Sequence, residues 1–296
     1  MEYISAKTII TRNKISPYWF DCEYNMNIYK GCCHGCIYCD SRSECYRIDD
    51  FDRIRAKENC LELIRNELRR KVKSGVVAMG AMSDPYNPFE KELELTRHAL
   101  ELISAYGFGA AAATKSDLIA RDCDIFSEIS EHSPVLAKIT ITCADNGLSK
   151  LIEPNAPPSS RRFEALARLA ERGVFCGVLL MPILPFINDS EENVLNIARR
   201  AKECGAKFVY PSFGVTLRQN QREYFFDKLR EIFPNDNYVR RYVSSFGSSY
   251  FCSSPNAKRL YASFSEECRR LGLAYDIKEI NRLYRQVYTD KQTSLF

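Results

Sequence analysis

Short apolar runs alternate with amphipathic stretches along most of the chain. The runs at 24–29, 76–79, 109–114, 136–142, 175–181 and 207–210 are rich in β-branched, aromatic or small residues and predict strands. Helical periodicity falls between them, at 54–73, 93–106, 122–130, 161–172 and 191–204. In the fourth of these, Phe163, Leu166, Ala167 and Ala170 share one face. Gly75, Gly107, Gly173 and Gly205 stand where four of the helices should stop. Strands alternating with helices imply a parallel sheet with helical crossovers. Six such units predict an α/β fold, an open (β/α)6 partial barrel of TIM-like type. Past about Phe213 the alternation stops, and 220–232, 256–271 and 278–288 read as helices. The expected organisation is therefore a barrel over 1–215 and a helical C-terminal extension over 216–296.

Polar residues follow the expected strands: Ser83-Asp84, Thr114-Lys115-Ser116, Thr140 and Thr142, and Ser212. The C-terminal strand ends form the reactive face of βα barrels, so these side chains should collect on one rim.

Composition narrows the class. The 296 residues are 45% hydrophobic and 27% charged, which suits one large globular core. No apolar run is long enough to span a bilayer, and residues 1–7 lack a signal-peptide core. Thirteen cysteines is a high and odd count; with no secretion signal it points to reduced thiols and a cytoplasmic location rather than a disulfide framework. A net charge of +4 permits an anionic partner without demanding one.

The densest chemistry is in one loop, Gly31-Cys32-Cys33-His34-Gly35-Cys36-Ile37-Tyr38-Cys39. Cys32, Cys36 and Cys39 have C-x3-C-x2-C spacing, and thiolates this close together share a metal or a cluster. Four ligands would close a cluster for electron transfer, whereas three leave one iron open to a substrate. The alternative is a structural zinc site completed by Cys33, His34 or Cys45. The tight triplet with an aromatic before its last thiol resembles the signature of radical S-adenosylmethionine (SAM) enzymes. That resemblance implies a 4Fe–4S cluster whose open iron chelates SAM, and reductive cleavage of SAM to a 5′-deoxyadenosyl radical by one electron from a flavodoxin- or ferredoxin-type donor. Cys33 and Cys45 would then be bystanders.

Further segments resemble, in order, the spore photoproduct lyase family of DNA-repair-like lyases: Asn27-Ile28-Tyr29-Lys30-Gly31-Cys32, Met82-Ser83-Asp84-Pro85, Ala113-Thr114-Lys115-Ser116, Ile139-Thr140-Ile141-Thr142, Glu153-Pro154 with Arg161-Arg162-Phe163, and Met181-Pro182-Ile183-Leu184-Pro185. The resemblance implies that Tyr38 lies beside the SAM adenine, that Ser83 contacts SAM, and that Lys115 pairs with the SAM carboxylate. It also puts Thr140 at a serine position and Arg162 near the same pocket, with Glu153 orienting Arg162 or capping a turn. One departure matters. The family's hydrogen-donor cysteine falls at Ala81, which has no thiol. Cys143, Tyr250 and Cys252 are the substitute donors the sequence offers, each with ordinary packing as the alternative.

The C-terminal residues Gln292, Leu295 and Phe296, spaced by Thr293 and Ser294, resemble the pentapeptide by which bacterial repair proteins dock on the DNA sliding clamp. The basic runs at 69–71, 199–200, 240–241 and 269–270 are ordinary solvated helix faces or a nucleic-acid footprint. Tyr238, Tyr242 and Phe246, near Arg240 and Arg241, are candidate base-stacking residues. Three readings follow: a radical SAM enzyme acting on nucleic acid, one acting on a small molecule or peptide, and a zinc-bound, non-catalytic nucleic-acid module.

Overall fold

The computed structural model describes residues 1–13 and 20–293. In chain order the strands are β1 (Glu2–Ile4), β2 (Ile10–Arg12), β3 (Tyr24–Met26), β4 (Tyr29–Lys30), β5 (Arg55–Lys57), β6 (Val76–Met79), β7 (Gly109–Thr114), β8 (Val135–Thr140), β9 (Cys176–Leu180), β10 (Phe208–Pro211), β11 (Gly214–Thr216) and β12 (Phe251–Ser253). The helices are α1 (Cys60–Arg70), α2 (Glu90–Leu93), α3 (Leu95–Ala105), α4 (Cys123–Ser130), α5 (Asn146–Ile152), α6 (Ser159–Glu171), α7 (Glu191–Glu203), α8 (Gln221–Ile232), α9 (Tyr238–Phe246), α10 (Ala257–Leu271) and α11 (Ile277–Thr293).

The main sheet runs β10-β9-β8-β7-β6-β3-β2, with β2 antiparallel on β3 and every other pair parallel. Its six parallel strands are the six that the alternation predicts. Side chains alternate across it. Ala110, Ala112, Ala137, Ile139, Val178 and Leu180 join the core beneath the helices, while Ala111, Leu136, Leu179 and Phe208 face the other way, with Phe20, Ile280 and Tyr284. The alanines of β7 are small on both faces, so the concave side stays open near the strand's C-terminal end.

Several expectations are corrected. The run at 24–29 breaks into β3 and β4, and β4 joins a separate sheet of order β1-β5-β4. The helix expected over 54–73 begins only at Cys60, after the strand β5. Asn59 takes a left-handed conformation (φ +50°) between the two, one that asparagine tolerates better than most residues. The extension is not purely helical, because β11 and β12 pair antiparallel with Thr216 opposite Phe251. Of the expected stop glycines, Gly107, Gly173 and Gly205 have positive φ and Gly75 does not. Among the described residues no helix is long and apolar enough to cross a membrane.

A second buried cluster joins distant parts of the chain. Cys36, Ile37 and Tyr38 pack with Leu184, Val215, Phe225, Leu229, Tyr242 and Cys252. The apolar side of the thiol loop is thus covered by the extension. Tyr242 is 1% exposed and makes edge contacts with Phe186 and Phe225, so it is a core residue rather than a stacking platform. Phe246 and Tyr238 pack at the margin of the same cluster.

Candidate active site

A cavity of about 310 Å³ opens at the C-terminal ends of the barrel strands. Its walls include Cys32, Cys36, Tyr38 and Cys39 from the loop after β4, Ala81, Ser83 and Asp84 after β6, and Lys115 after β7. Thr140 closes β8, Met181 follows β9, Ser212 follows β10, and Phe251 of β12 stands at the edge. Of the polar strand-end residues expected on one rim, Ser83, Asp84, Thr114, Lys115, Thr140 and Ser212 line this cavity, and Ser116 and Thr142 do not.

The three thiols are reduced and lie in mutual electrostatic range. Burial pushes the Cys36 thiol up to about 12, while Lys115 acts in the opposite direction. Among the described residues no three His, Cys, Asp or Glu side chains converge on a single-ion site. The donor set instead suits a cluster, in which each iron takes its own thiolate and the ligands stand around a volume rather than a point. Cys33 is half-buried, and Cys45 is exposed, with its Sγ 3.1 Å from Nη1 of Arg218; neither lines the cavity.

Lys115 also lines the cavity, with Nζ 5.5 Å from the centroid of the Tyr38 ring. Burial disfavours its charge, but Cys36, Glu153 and Cys39 outweigh that and raise its pKa. A buried ammonium group within electrostatic range of Cys36 and Cys39 in a cavity is equipped to hold a carboxylate.

Asp84, one of the polar residues expected at a strand end, ties the thiol loop to the segment after β7. Its Oδ2 lies 3.0 Å from Nε2 of His34, within the thiol loop, and accepts from the Lys115 amide at 2.9 Å. Its Oδ1 accepts from the Thr114 hydroxyl at 2.6 Å and the Tyr86 amide at 2.9 Å. Burial opposes ionisation, yet His34, Thr114 and the Lys115 amide hold the carboxyl down at about 2. Ser83 lines the cavity but donates to the Tyr29 carbonyl at 2.9 Å, which fixes the strand leading into the loop.

Arg162 is not on the cavity wall. It is fully buried, with Nη1 2.6 Å from Oε2 of Glu153 and 3.0 Å from the Thr140 carbonyl oxygen it donates to. Cys143 is also fully buried: Asn188 Nδ2 lies 3.5 Å from its Sγ, and it does not reach the cavity. Cys252 is buried in the second cluster, and Tyr250, 52% exposed, lies outside the cavity lining under the Arg218 guanidinium, 4.9 Å from its ring centroid. Ala81 is on the wall, and the cavity's cysteines are Cys32, Cys36 and Cys39 alone among the described residues. Gln292 falls in α11, and Leu295 and Phe296 lie outside the described residues.

Comparison with known proteins accords with this geometry. An uncharacterized protein of Mycobacterium tuberculosis is 30% identical over 210 residues, covering 69% of this chain and 62% of its own length, so the chain spans less than two thirds of that relative. An uncharacterized protein of Methanocaldococcus jannaschii is 35% identical over 191 residues, 64% of this chain and 69% of its own. Among solved structures, spore photoproduct lyase complexed with dinucleoside spore photoproduct superposes with a TM-score of 0.64 at 14% identity, over 92% of this chain and 80% of that one. The radical S-adenosylmethionine methyltransferase TsrM from Kitasatospora setae, with tryptophan substrate and a SAM analog bound, gives 0.53 at 11% identity, over 83% and 51%. At such identities the superpositions establish the fold. The radical SAM superfamily model matches residues 26–207, from the end of β3 to the residue before β10, which takes in the thiol loop and the strand ends from Ala81 to Met181. With that match, the partial barrel and the rim of thiols at its strand ends, the chain belongs to the radical SAM superfamily.

Proposed function

We propose that the protein holds a 4Fe–4S cluster on Cys32, Cys36 and Cys39, binds SAM in the adjoining cavity, and acts on nucleic acid. The carrying observation is the single cavity that brings the three thiols, Tyr38 and Lys115 together. When bound, the cluster and SAM supply a 5′-deoxyadenosyl radical after one electron arrives from a flavodoxin- or ferredoxin-type donor. The chain's own residues do the rest. Lys115 binds the SAM carboxylate, Tyr38 flanks the adenine, and Ser83 and Thr140 offer hydroxyls at the wall. The buried loop and strand ends exclude water from the reactive side.

Support for nucleic acid comes from the rim. Phe251, 45% exposed, stands at the cavity edge, Tyr250 is exposed beside it, and Arg218 covers the Tyr250 ring. Exposed rings and a guanidinium beside a reactive cavity suit stacking on bases. The spore photoproduct lyase superposition, with a dinucleoside lesion bound, points the same way. Ala81 on the wall argues against the spore enzyme's own hydrogen-donor step, so the lesion repaired, or the bond broken, differs. The tail at Gln292, Leu295 and Phe296 would tether such an enzyme to the sliding clamp.

The test is anaerobic reconstitution with iron and sulfide, followed by SAM and dithionite. Deoxyadenosine release should rise on adding damaged or single-stranded DNA. Stimulation by a peptide or an amino acid and not by DNA would move the substrate to the other class. Cys32→Ala, Cys36→Ala and Cys39→Ala should each lose the cluster's visible absorbance, and Cys33→Ala and Cys45→Ala should keep it. A colourless Cys33 or Cys45 variant would overturn the three-ligand assignment.

A further inference from the structure

The thiol loop is strapped along its length by one short segment that supplies no thiol. Ile37 donates its amide to the Ile152 carbonyl at 3.0 Å. Asn155 donates its amide to the His34 carbonyl at 3.0 Å and its side-chain amide to the Cys33 carbonyl at 2.9 Å. Between these two, Glu153 accepts a hydrogen bond from the Tyr38 hydroxyl. Its carboxylate also accepts from Thr142 Oγ1 at 3.3 Å and Ser149 Oγ at 3.4 Å, and faces Arg162. Glu153 and Arg162 are both fully buried.

A buried ion pair is a poor way to gain stability, because desolvation of two charges offsets most of their attraction. It is a good way to fix a hydrogen-bond acceptor. A carboxylate held by a guanidinium accepts a stronger bond from a phenol than a neutral group does. Tyr38 lies between two of the thiols in sequence, and its ring is the surface beneath Lys115. With its hydroxyl fixed, the ring has little freedom to swing toward or away from the cavity.

We infer that Glu153 is a positioning residue, acting through the Tyr38 hydroxyl to hold the ring against the SAM cavity, with Arg162 as its buried counter-ion. This rests on the SAM-binding reading of the cavity. It also gives Arg162 a role in place of direct contact with SAM.

The test is a cycle of Tyr38→Phe, Glu153→Gln and the double variant, each reconstituted anaerobically. SAM affinity is read by calorimetry, the cluster potential by redox titration with electron paramagnetic resonance, and iron content serves as the control. Each single variant should bind SAM about 5- to 10-fold more weakly at normal iron content, as expected for one charge-assisted hydrogen bond. The double variant should be no worse than the worse single, because both remove the same bond. Glu153→Gln alone should raise the cluster potential, since it leaves Arg162 and Lys115 without their anion; Tyr38→Phe should not. Additive losses, or unchanged SAM affinity in Tyr38→Phe, overturn the inference. If Glu153→Gln does not fold, Tyr38→Phe, which leaves the ion pair whole, decides alone. Wild-type protein that takes up iron but binds no SAM would sink the reading of the cavity instead.

Discussion

Replacing Asp84 by Asn should loosen the active-site rim and lower stability by an amount the structure lets us work out. The carboxylate faces His34 and accepts from Thr114, Lys115 and Tyr86, with 7% of its side chain exposed. These partners hold its carboxyl at about 2 instead of 3.8, burial notwithstanding. That favours the ionised folded state by about 2 kcal/mol, at about 1.4 kcal/mol per tenfold change in acidity. Asn keeps one acceptor oxygen but points an NH₂ group at a donor, so the full cost should be about 2–3 kcal/mol. The assay is denaturant unfolding of the cluster-free protein under reducing, anaerobic conditions, with calorimetry beside it. The expected fall in Tm is about 4–10 °C for a chain of this size. The pH dependence has a definite sign. A carboxyl depressed in the folded state stabilises above its unfolded value, and the benefit is lost as pH falls through the folded one. The gap between wild type and variant should be complete above about pH 5, about half gone near pH 3, and closed only below about pH 2. Equal midpoints at pH 7, or a gap that stays constant down to pH 3, would refute the reasoning.

Three further outcomes are expected. Lys115→Ala should weaken SAM binding by about 30-fold or more while iron content stays normal, because a buried carboxylate loses its charged partner; unchanged affinity by calorimetry would remove Lys115 from the site. Gly80→Ala should cost at least about 3 kcal/mol of unfolding free energy, because Gly80 has φ +94° and a Cβ there would lie 2.0 Å from the Ala113 carbonyl oxygen. Gly247→Ala, at φ +53° with nothing within 4 Å, should cost only about 1–2 kcal/mol, and equal losses at the two sites would discredit the clash. Truncation after Asp290 should leave cluster and SAM cleavage intact and abolish an about micromolar affinity for the sliding clamp of the source organism; calorimetry showing no clamp binding by the full chain would leave the tail without that role.

The parts of the fold visible in the sequence are those whose signal is local. The parallel strands announce themselves because buried runs such as Val76–Met79 and Val135–Thr140 are bounded by helical periodicity. The strand Arg55–Lys57 does not, because only Ala56 is buried and its partners at Tyr3 and Tyr29 lie far off in sequence. The pairing of Gly214–Thr216 with Phe251–Ser253 is hidden for the same reason. At the site, the thiol spacing and the polar strand ends are legible, since both are patterns along the chain. The sequence marks Asp84 as a strand-end acid and Glu153 as a partner for Arg162, but not the bonds each makes to the thiol loop, because His34 and Tyr38 lie 50 and 115 residues away. Arg162 shows the converse limit: the sequence marks it as worth attention but cannot say which way the guanidinium turns. Tyr242 beside Arg241 reads as a surface aromatic until Phe186 and Phe225 are seen to close over it.

The second buried cluster has a bearing on how the protein is made. A chain leaving the ribosome presents Cys32, Cys36 and Cys39 early, but Val215, Phe225, Tyr242 and Cys252, against which Ile37 and Tyr38 lie, arrive much later. Until then the loop's apolar side has nothing to rest on, and contacts of such wide sequence separation form slowly. Iron delivered to the nascent chain would meet three loose thiols rather than a shaped receptacle. Acquisition of the proposed cluster would thereby depend on synthesis of the segment from Val215 to Cys252. A frameshift or stop before Val215 would leave the thiol loop without its apolar support while leaving its own residues unchanged.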